Sequence, residues 1–107
     1  HKYVLVKAVD DDDYTHWFVK SASASECGGP YHADVAQDLV EWIRAAGYDN
    51  VIVTGGGRID YKEGREALVY GFSYGFGKGD HEKVVSLIDE WSQGKIVATF
   101  DASKNLY

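Results

Sequence analysis

Two segments with helical periodicity, each flanked by strand-like segments, constrain the fold of this chain more than any other feature. The first covers residues 31–46, and the second lies between Asp80, an N-cap residue, and the stop signal Gly94. Apolar steps of three and four predict one buried face on each, formed by Val35, Leu39, Trp42, Ile43 and Ala46 in the first and by Val84, Val85, Leu87, Ile88 and Trp91 in the second. Helices that connect strands pack on the sheet those strands form, so the pattern predicts an α/β fold.

Five segments rich in β-branched and aromatic residues predict the strands. They are Lys2–Val9, Thr15–Lys20, Asn50–Thr54, Glu66–Tyr74 and Lys95–Asp101. The element order is therefore ββαββαβ, with two helices packed on one mixed sheet. A chain of 107 residues has room for a single domain, which we assign to 1–107.

Composition narrows the classes of partner and compartment. The net charge of −6 argues against nucleic acid, whose phosphate backbone requires a basic surface. No apolar run approaches the ~20 residues that span a bilayer, so no membrane segment is predicted. Cys27 is the only cysteine, which excludes an internal disulfide and agrees with a reducing compartment. The chain begins at His1 inside a strand pattern without an initiator methionine, as expected of a trimmed sequence.

Metal-binding patterns are absent from the sequence. His1, His16 and His81 have no ligand partners at metal-site spacing, and one cysteine is too few for a thiolate zinc site. The acidic run Asp10–Asp13 lacks the glycine and the terminal glutamate of an EF-hand, and it is explained as a hydrated turn. We therefore expect no metal site.

His32, at the start of the first helix, is the candidate for chemistry. It lies three residues before Val35 and seven before Leu39, so it shares their buried face. The helix N-terminus presents N–H groups and partial positive charge, which disfavour imidazolium and favour a bound anion. A neutral imidazole can serve as a nucleophile or a base. The simpler alternative is an ordinary histidine at a helix start.

Two glycine-rich segments follow predicted strands, at 55–58 and 73–77. Converging backbone N–H groups in such segments can bind phosphate oxygens, and Arg58 can add a charge-assisted contact. Two tight turns are the simpler explanation of the glycines. Neither segment matches GxxxxGK[ST] or GxGxxG, so a nucleotide-binding protein is supported by the glycines alone.

The residue pattern excludes two known classes of phosphatase. Residues 11–15 spell DxDxT after a strand, but the chain is too short for the doubly wound domain of the aspartate-nucleophile phosphatases. The position six residues after Cys27 is Ala33 rather than arginine, so the C-x5-R loop of the cysteine phosphatases is missing.

Four motifs taken together resemble the small phosphohistidine phosphatases of the Janus family. They are KYVLV at 2–6, YHADV at 31–35, GGGRI at 55–59 and VYGFSYGFG at 69–77. Their order and spacing are similar to those of that family, and the closing NLY resembles its C-terminal tail. The combination is much more specific than any one motif.

The resemblance implies a complete site. His32 would be the catalytic histidine, Lys2 would reach into the site, and Arg58 would lie beside it. The phosphoryl group would be held by the backbone of Ser73, Tyr74 and Gly75. The resemblance also implies a monomeric, cytoplasmic enzyme that needs no metal or cofactor and whose partners are phosphohistidine-containing proteins.

The resemblance leaves open both the mechanism and whether the site catalyses a reaction at all. Neutral His32 either attacks phosphorus, which gives a phosphohistidine intermediate, or acts as a general base on water. A phosphoprotein-binding module that uses the same anion pocket without turnover is the alternative function. The protein target, the phosphohistidine isomer and the pathway are not determined by the sequence.

Overall fold

The computed structural model describes residues 1–22, 32–63 and 65–104, with Asp34 described by its backbone alone. Its elements are β1 (Lys2–Val9), β2 (Thr15–Ala22), α1 (His32–Ala45), β3 (Asn50–Lys62), β4 (Glu66–Tyr70), α2 (His81–Ser92) and β5 (Val97–Asp101). The order ββαββαβ and the single α/β domain are confirmed. Cys27, Tyr31 and the closing residues 105–107 lie outside the described residues.

The strands form one five-stranded sheet in the order β2-β1-β3-β4-β5. Pairing is antiparallel from β2 to β4 and parallel between β4 and β5, so the sheet is mixed as predicted. The parallel pair is connected by α2, as a crossover between parallel strands requires. Strand β1 lies inside the sheet, and its residues Tyr3 to Val6 are completely buried.

Each helix covers one face of the sheet and closes its own core. The core under α1 consists of Val4, Val6, Ala8, Ala22, Val35, Ala36, Leu39 and Ile43. The core under α2 consists of Tyr3, Leu5, Ile59, Ala67, Val69, Val84 and Ile88. Alternate residues of β1 enter the two cores because successive strand side chains point to opposite faces. The strand is therefore apolar on both sides, which explains its continuous run KYVLV.

Strand β3 differs from its prediction. The sequence predicted a strand ending at Thr54 before a glycine turn, but β3 continues through the glycines to Lys62. Backbone contacts occupy the place that side chains would fill: Gly56 N–H donates to Gly77 O at 3.1 Å, and Gly79 N–H donates to Gly56 O at 2.8 Å. The first glycine segment is therefore part of a strand rather than a tight turn, and the N–H of Gly56 holds the neighbouring segment instead of being open to an anion.

Two tryptophans were predicted to be buried, and both are exposed. Trp42 is 63% exposed and Trp91 is 79% exposed. Both indoles line a cleft along β2, together with Trp17. Because β2 is the last strand at that edge of the sheet, the helices have no further strand to cover there.

The remaining differences concern the ends of elements. Ala46 is exposed and lies beyond the end of α1. The predicted strand Glu66–Tyr74 stops at Tyr70, because Gly71 turns the chain with φ of +80°. Strand β2 extends to Ala22 rather than Lys20, and β5 begins at Val97 rather than Lys95. The predicted N-cap of α2 is confirmed, since the Asp80 carboxylate accepts from Lys83 N–H at 3.1 Å.

We predict that Gly57→Ala lowers the free energy of unfolding by about 1–3 kcal/mol through overpacking. A Cβ atom at Gly57 would lie 2.5 Å from the Tyr70 carbonyl oxygen and 2.7 Å from the Tyr3 ring. Gly75→Ala is the matched control, because its Cβ meets nothing within 4 Å. Thermal unfolding measures both variants, and equal midpoints would show that the close packing around Gly57 is absent.

Candidate functional site

His32 is the first residue of α1 and lies inside the protein, with 1% of its surface exposed. Its Nε2 lies 2.8 Å from the carbonyl oxygen of Gly57. A carbonyl can only accept a hydrogen bond, so Nε2 carries the proton and Nδ1 of the neutral ring carries the lone pair. The strand that holds Arg58 therefore also fixes the orientation of the imidazole.

The surroundings of His32 favour its neutral form. Burial is the main cause that lowers its pKa below the ordinary 6.5, and the hydrogen bond to Gly57 opposes this. The positive charges of Lys2 and Arg58 lower the pKa further. These causes favour the uncharged ring at neutral pH, which agrees with the sequence-based expectation, but they are burial and nearby cations rather than the helix start.

Lys2 and Arg58 lie opposite each other in the antiparallel pairing of β1 with β3. Both are partly buried, and the pKa of Lys2 is lowered by burial first and by the charge of Arg58 second. Two neighbouring cations are costly unless an anion can share their field. They give this acidic protein a local positive site beside His32.

Ser73 is 2% exposed and anchors a tight turn of residues 73–77. Its N–H donates to Gly77 O at 3.1 Å, and Gly77 N–H donates back to Ser73 O at 2.8 Å. The Ser73 hydroxyl oxygen accepts from Phe76 N–H at 3.2 Å. The backbone N–H of Ser73 is therefore used within the turn and does not make the phosphoryl contact that the resemblance implied for it. Its hydroxyl proton can be donated to a ligand instead.

The turn lies against His32 because Gly56 has no side chain. A Cβ atom at Gly56 would be 2.9 Å from His32 Cδ2 and 3.2 Å from Ser73 Cβ. The structure thus brings together Lys2, His32, Arg58 and Ser73, which lie far apart in the chain.

Tyr74 and Gly75 are placed at the tip of the same turn. The Tyr74 side chain is 77% exposed, and its ring packs edge-on against Phe72 with centroids 5.0 Å apart. A Cβ atom at Gly75 would meet nothing within 4 Å, so the backbone there is open. Gly75 can contribute to phosphoryl binding only through its backbone, because it has no side chain.

Sequence reasoning missed two residues beside this site, Tyr3 and His81. The Tyr3 hydroxyl lies 2.5 Å from His81 Nδ1, and both residues are buried. From the sequence alone, the only chemistry to weigh for His81 is metal binding, for which it has no partner at ligand spacing. The one available signal was a tyrosine within an otherwise aliphatic buried segment, directly after Lys2.

The described parts of the chain contain no group of three or more histidine, cysteine, aspartate or glutamate residues placed to hold a metal ion. None of the helices in those same parts is both long enough and apolar enough to cross a membrane.

The sequence profile of the Janus/Ocnus family matches residues 1–95, and the chain belongs to this family. It is similar to sex-regulated protein janus-A of Drosophila yakuba, with 33% identity over 88 residues that cover 81% of this chain and 62% of the relative. The janus-A protein of Drosophila simulans is 31% identical over the same shares. The match therefore spans less than two thirds of the length of these relatives.

We predict that folding stability declines as the pH falls below 6.5. The pKa values of His32 and His81 are both lowered mainly by burial, so the unfolded chain takes up protons that the folded chain takes up only at lower pH. The stabilisation is fully present above pH 6.5 and is lost on acidification.

Urea unfolding between pH 7.5 and 5 measures this decline. The pKa values of the Asp10 and Asp101 carboxyls are lowered by their hydrogen bonds, so these two groups add little to the change within the window. NMR titration of the ring signals assigns the effect to its residues. A midpoint at or above 6.5 for both His32 and His81 would contradict the prediction.

Proposed function

We propose that this chain hydrolyses phosphohistidine on other proteins, with His32 as the catalytic residue. The observation that carries the proposal is a buried neutral imidazole, fixed by a backbone carbonyl, beside two cations in an acidic protein. The resemblance of four motifs to the small phosphohistidine phosphatases supplies the substrate class. We further propose that the enzyme acts as a cytoplasmic monomer without metal or cofactor, as that family does.

The phosphoryl group would be bound by charge and by hydrogen-bond donors. Lys2 and Arg58 face the same site and would contact its oxygens, because charge-assisted bonds to phosphate are the stronger kind. The Ser73 hydroxyl and the backbone of Tyr74 and Gly75 would complete the contacts. Donors held in place before the substrate arrives stabilise charge that develops in the transition state.

The chemistry requires little covalent assistance. Water cleaves the P–N bond of phosphohistidine to give histidine and inorganic phosphate, and the leaving imidazole takes a proton. His32 Nδ1, which carries the lone pair, would act in one of two ways. It would attack phosphorus as the substrate P–N bond breaks, giving a phospho-His32 that water then hydrolyses to inorganic phosphate, or it would remove a proton from the water that attacks phosphorus directly. In both cases the ring becomes positive, and the Gly57 carbonyl on Nε2–H stabilises that charge. The function of this carbonyl is analogous to that of the carboxylate in a catalytic triad.

A second candidate is a phosphoprotein-binding module that uses the same anion site without turnover. The near-complete burial of His32 favours it, because an attacking atom needs access to phosphorus. Release of inorganic phosphate from a phosphohistidine protein separates the two functions. A module would bind the phosphorylated protein and leave the phosphate in place.

We predict that His32→Ala lowers the rate of phosphohistidine hydrolysis by at least about 10²-fold, the usual contribution of a catalytic acid or base. The assay is run in EDTA, which the proposed mechanism tolerates. His16→Ala is the control, because His16 lies in β2 and pairs with Ala8, at the end of β1 far from Lys2. A folded His32→Ala protein with wild-type turnover would remove His32 from the mechanism.

We predict that Lys2→Ala weakens substrate binding by about 1–2 kcal/mol, the value of one charge-assisted contact, or about five- to thirtyfold. Inorganic phosphate should inhibit the wild type and inhibit this variant less. Lys7→Ala removes the same charge from the same strand, roughly 16 Å farther along it. Michaelis parameters that change equally in the two variants would show that Lys2 acts only through net charge.

A further inference from the structure

A second buried histidine lies on the face of the sheet opposite His32. His81 is the first residue of α2 and is 4% exposed, while its partner Tyr3 is completely buried. The proposed reaction uses neither residue. Buried polar side chains are retained in a core when their hydrogen bonds are satisfied, and the bonds of this pair have a defined direction.

The direction follows from the acceptor at one end. His81 Nε2 lies 3.0 Å from the carbonyl oxygen of Gly71, so Nε2 carries the proton. Nδ1 of the neutral ring then accepts from the Tyr3 hydroxyl at 2.5 Å. Burial lowers the pKa of His81 and raises the pKa of Tyr3, which keeps both groups uncharged. The result is a chain of two hydrogen bonds, in which Tyr3 donates to His81 and His81 donates to the Gly71 carbonyl.

The hydrogen bonds of Tyr3 and His81 end at Gly71, which lies just before the tight turn of residues 73–77. Its carbonyl accepts from His81, and its N–H donates to Lys104 O at 2.9 Å. It begins the segment that contains Ser73, and His81 directly follows that segment. The hydrogen bond between Gly71 and His81 therefore closes the base of the loop 71–80.

Tyr3 connects the same chain to the other half of the site. It follows Lys2 in β1 and pairs with Gly57, the residue whose carbonyl orients His32. A Cβ atom at Gly57 would lie 2.7 Å from the Tyr3 ring and 3.0 Å from His81 Cε1. The pair thus packs directly behind the strand segment that orients His32.

We propose that Tyr3 and His81 are positioning residues that hold the loop 71–80 in register with Lys2 and His32, and so set the affinity of the site for a phosphoryl group. The identity of the bound group rests on the proposed function. The positioning itself is a statement about the loop and is measurable without turnover.

The test compares Tyr3→Phe with a control from the same core. Tyr3→Phe removes one hydroxyl and leaves the ring, whereas Ile88→Val removes one methylene from the core that contains Tyr3 and breaks no hydrogen bond. NMR hydrogen exchange at the amides of Ser73, Gly77 and Gly79 reports the order of the loop. Titration with inorganic phosphate reports the affinity of the site.

The proposal expects Tyr3→Phe to speed exchange at these amides and to raise the dissociation constant for phosphate about three- to tenfold, as loss of preorganisation does. KM for a phosphohistidine substrate should rise by a similar factor. Ile88→Val should leave the exchange rates, the dissociation constant for phosphate and KM within about twofold of wild type. It should lower the overall stability, because truncation of a core side chain acts on the whole fold. His81→Gln places an amide near the position of Nε2 and should restore part of the loop order relative to His81→Ala.

Equal effects of Tyr3→Phe and Ile88→Val, or no effect of either, would overturn the proposal. If Tyr3→Phe does not fold, the pair His81→Gln and His81→Ala decides, and equal exchange in these two variants overturns it. A wild type that neither hydrolyses phosphohistidine nor binds phosphate would refute the proposed function. The exchange rates alone would then decide the positioning role.

Discussion

The close approach of backbone to backbone at Gly55–Gly57 is the constraint on which the site depends. A side chain at Gly55 would meet the backbone of Gly79, and one at Gly56 would meet His32 and Ser73. Without side chains in the middle of β3, the segment after β4 can hydrogen-bond directly to the strand. The catalytic candidate on α1 and the turn beyond β4 can therefore reach the same point from different parts of the chain.

The electrostatics of the site follow from this packing. Lys2 and Arg58 are placed side by side by the register of β1 and β3, and His32 is held next to them by a carbonyl of the same strand. An imidazole in this position is neutral because it is buried and because its neighbours are positive.

The sequence predicted what depends on local pattern. The run Lys2–Val9, the order of elements and the N-cap Asp80 all follow from residues close together in the chain, and they were found as expected. The length of β3 and the exposure of Trp42 were not predictable in this way. They depend on which segment lies against a strand and on where the sheet ends. The contact between Tyr3 and His81 joins residues 78 positions apart and leaves no mark in local periodicity.

That separation also bears on how the molecule reaches its folded state. β1 and β2 are joined by a short turn and can pair early, but β1 gains its second neighbour only when β3 closes a much longer loop. The hydrogen bond from Tyr3 to His81 joins β1 to α2, and contacts of such long range slow folding. A ribosome-bound chain that ends before α2 would have Lys2, His32 and Arg58 and still lack the element that holds the turn in place. The site proposed for a phosphoryl group would therefore be complete only after α2 has been synthesised and has packed on the sheet.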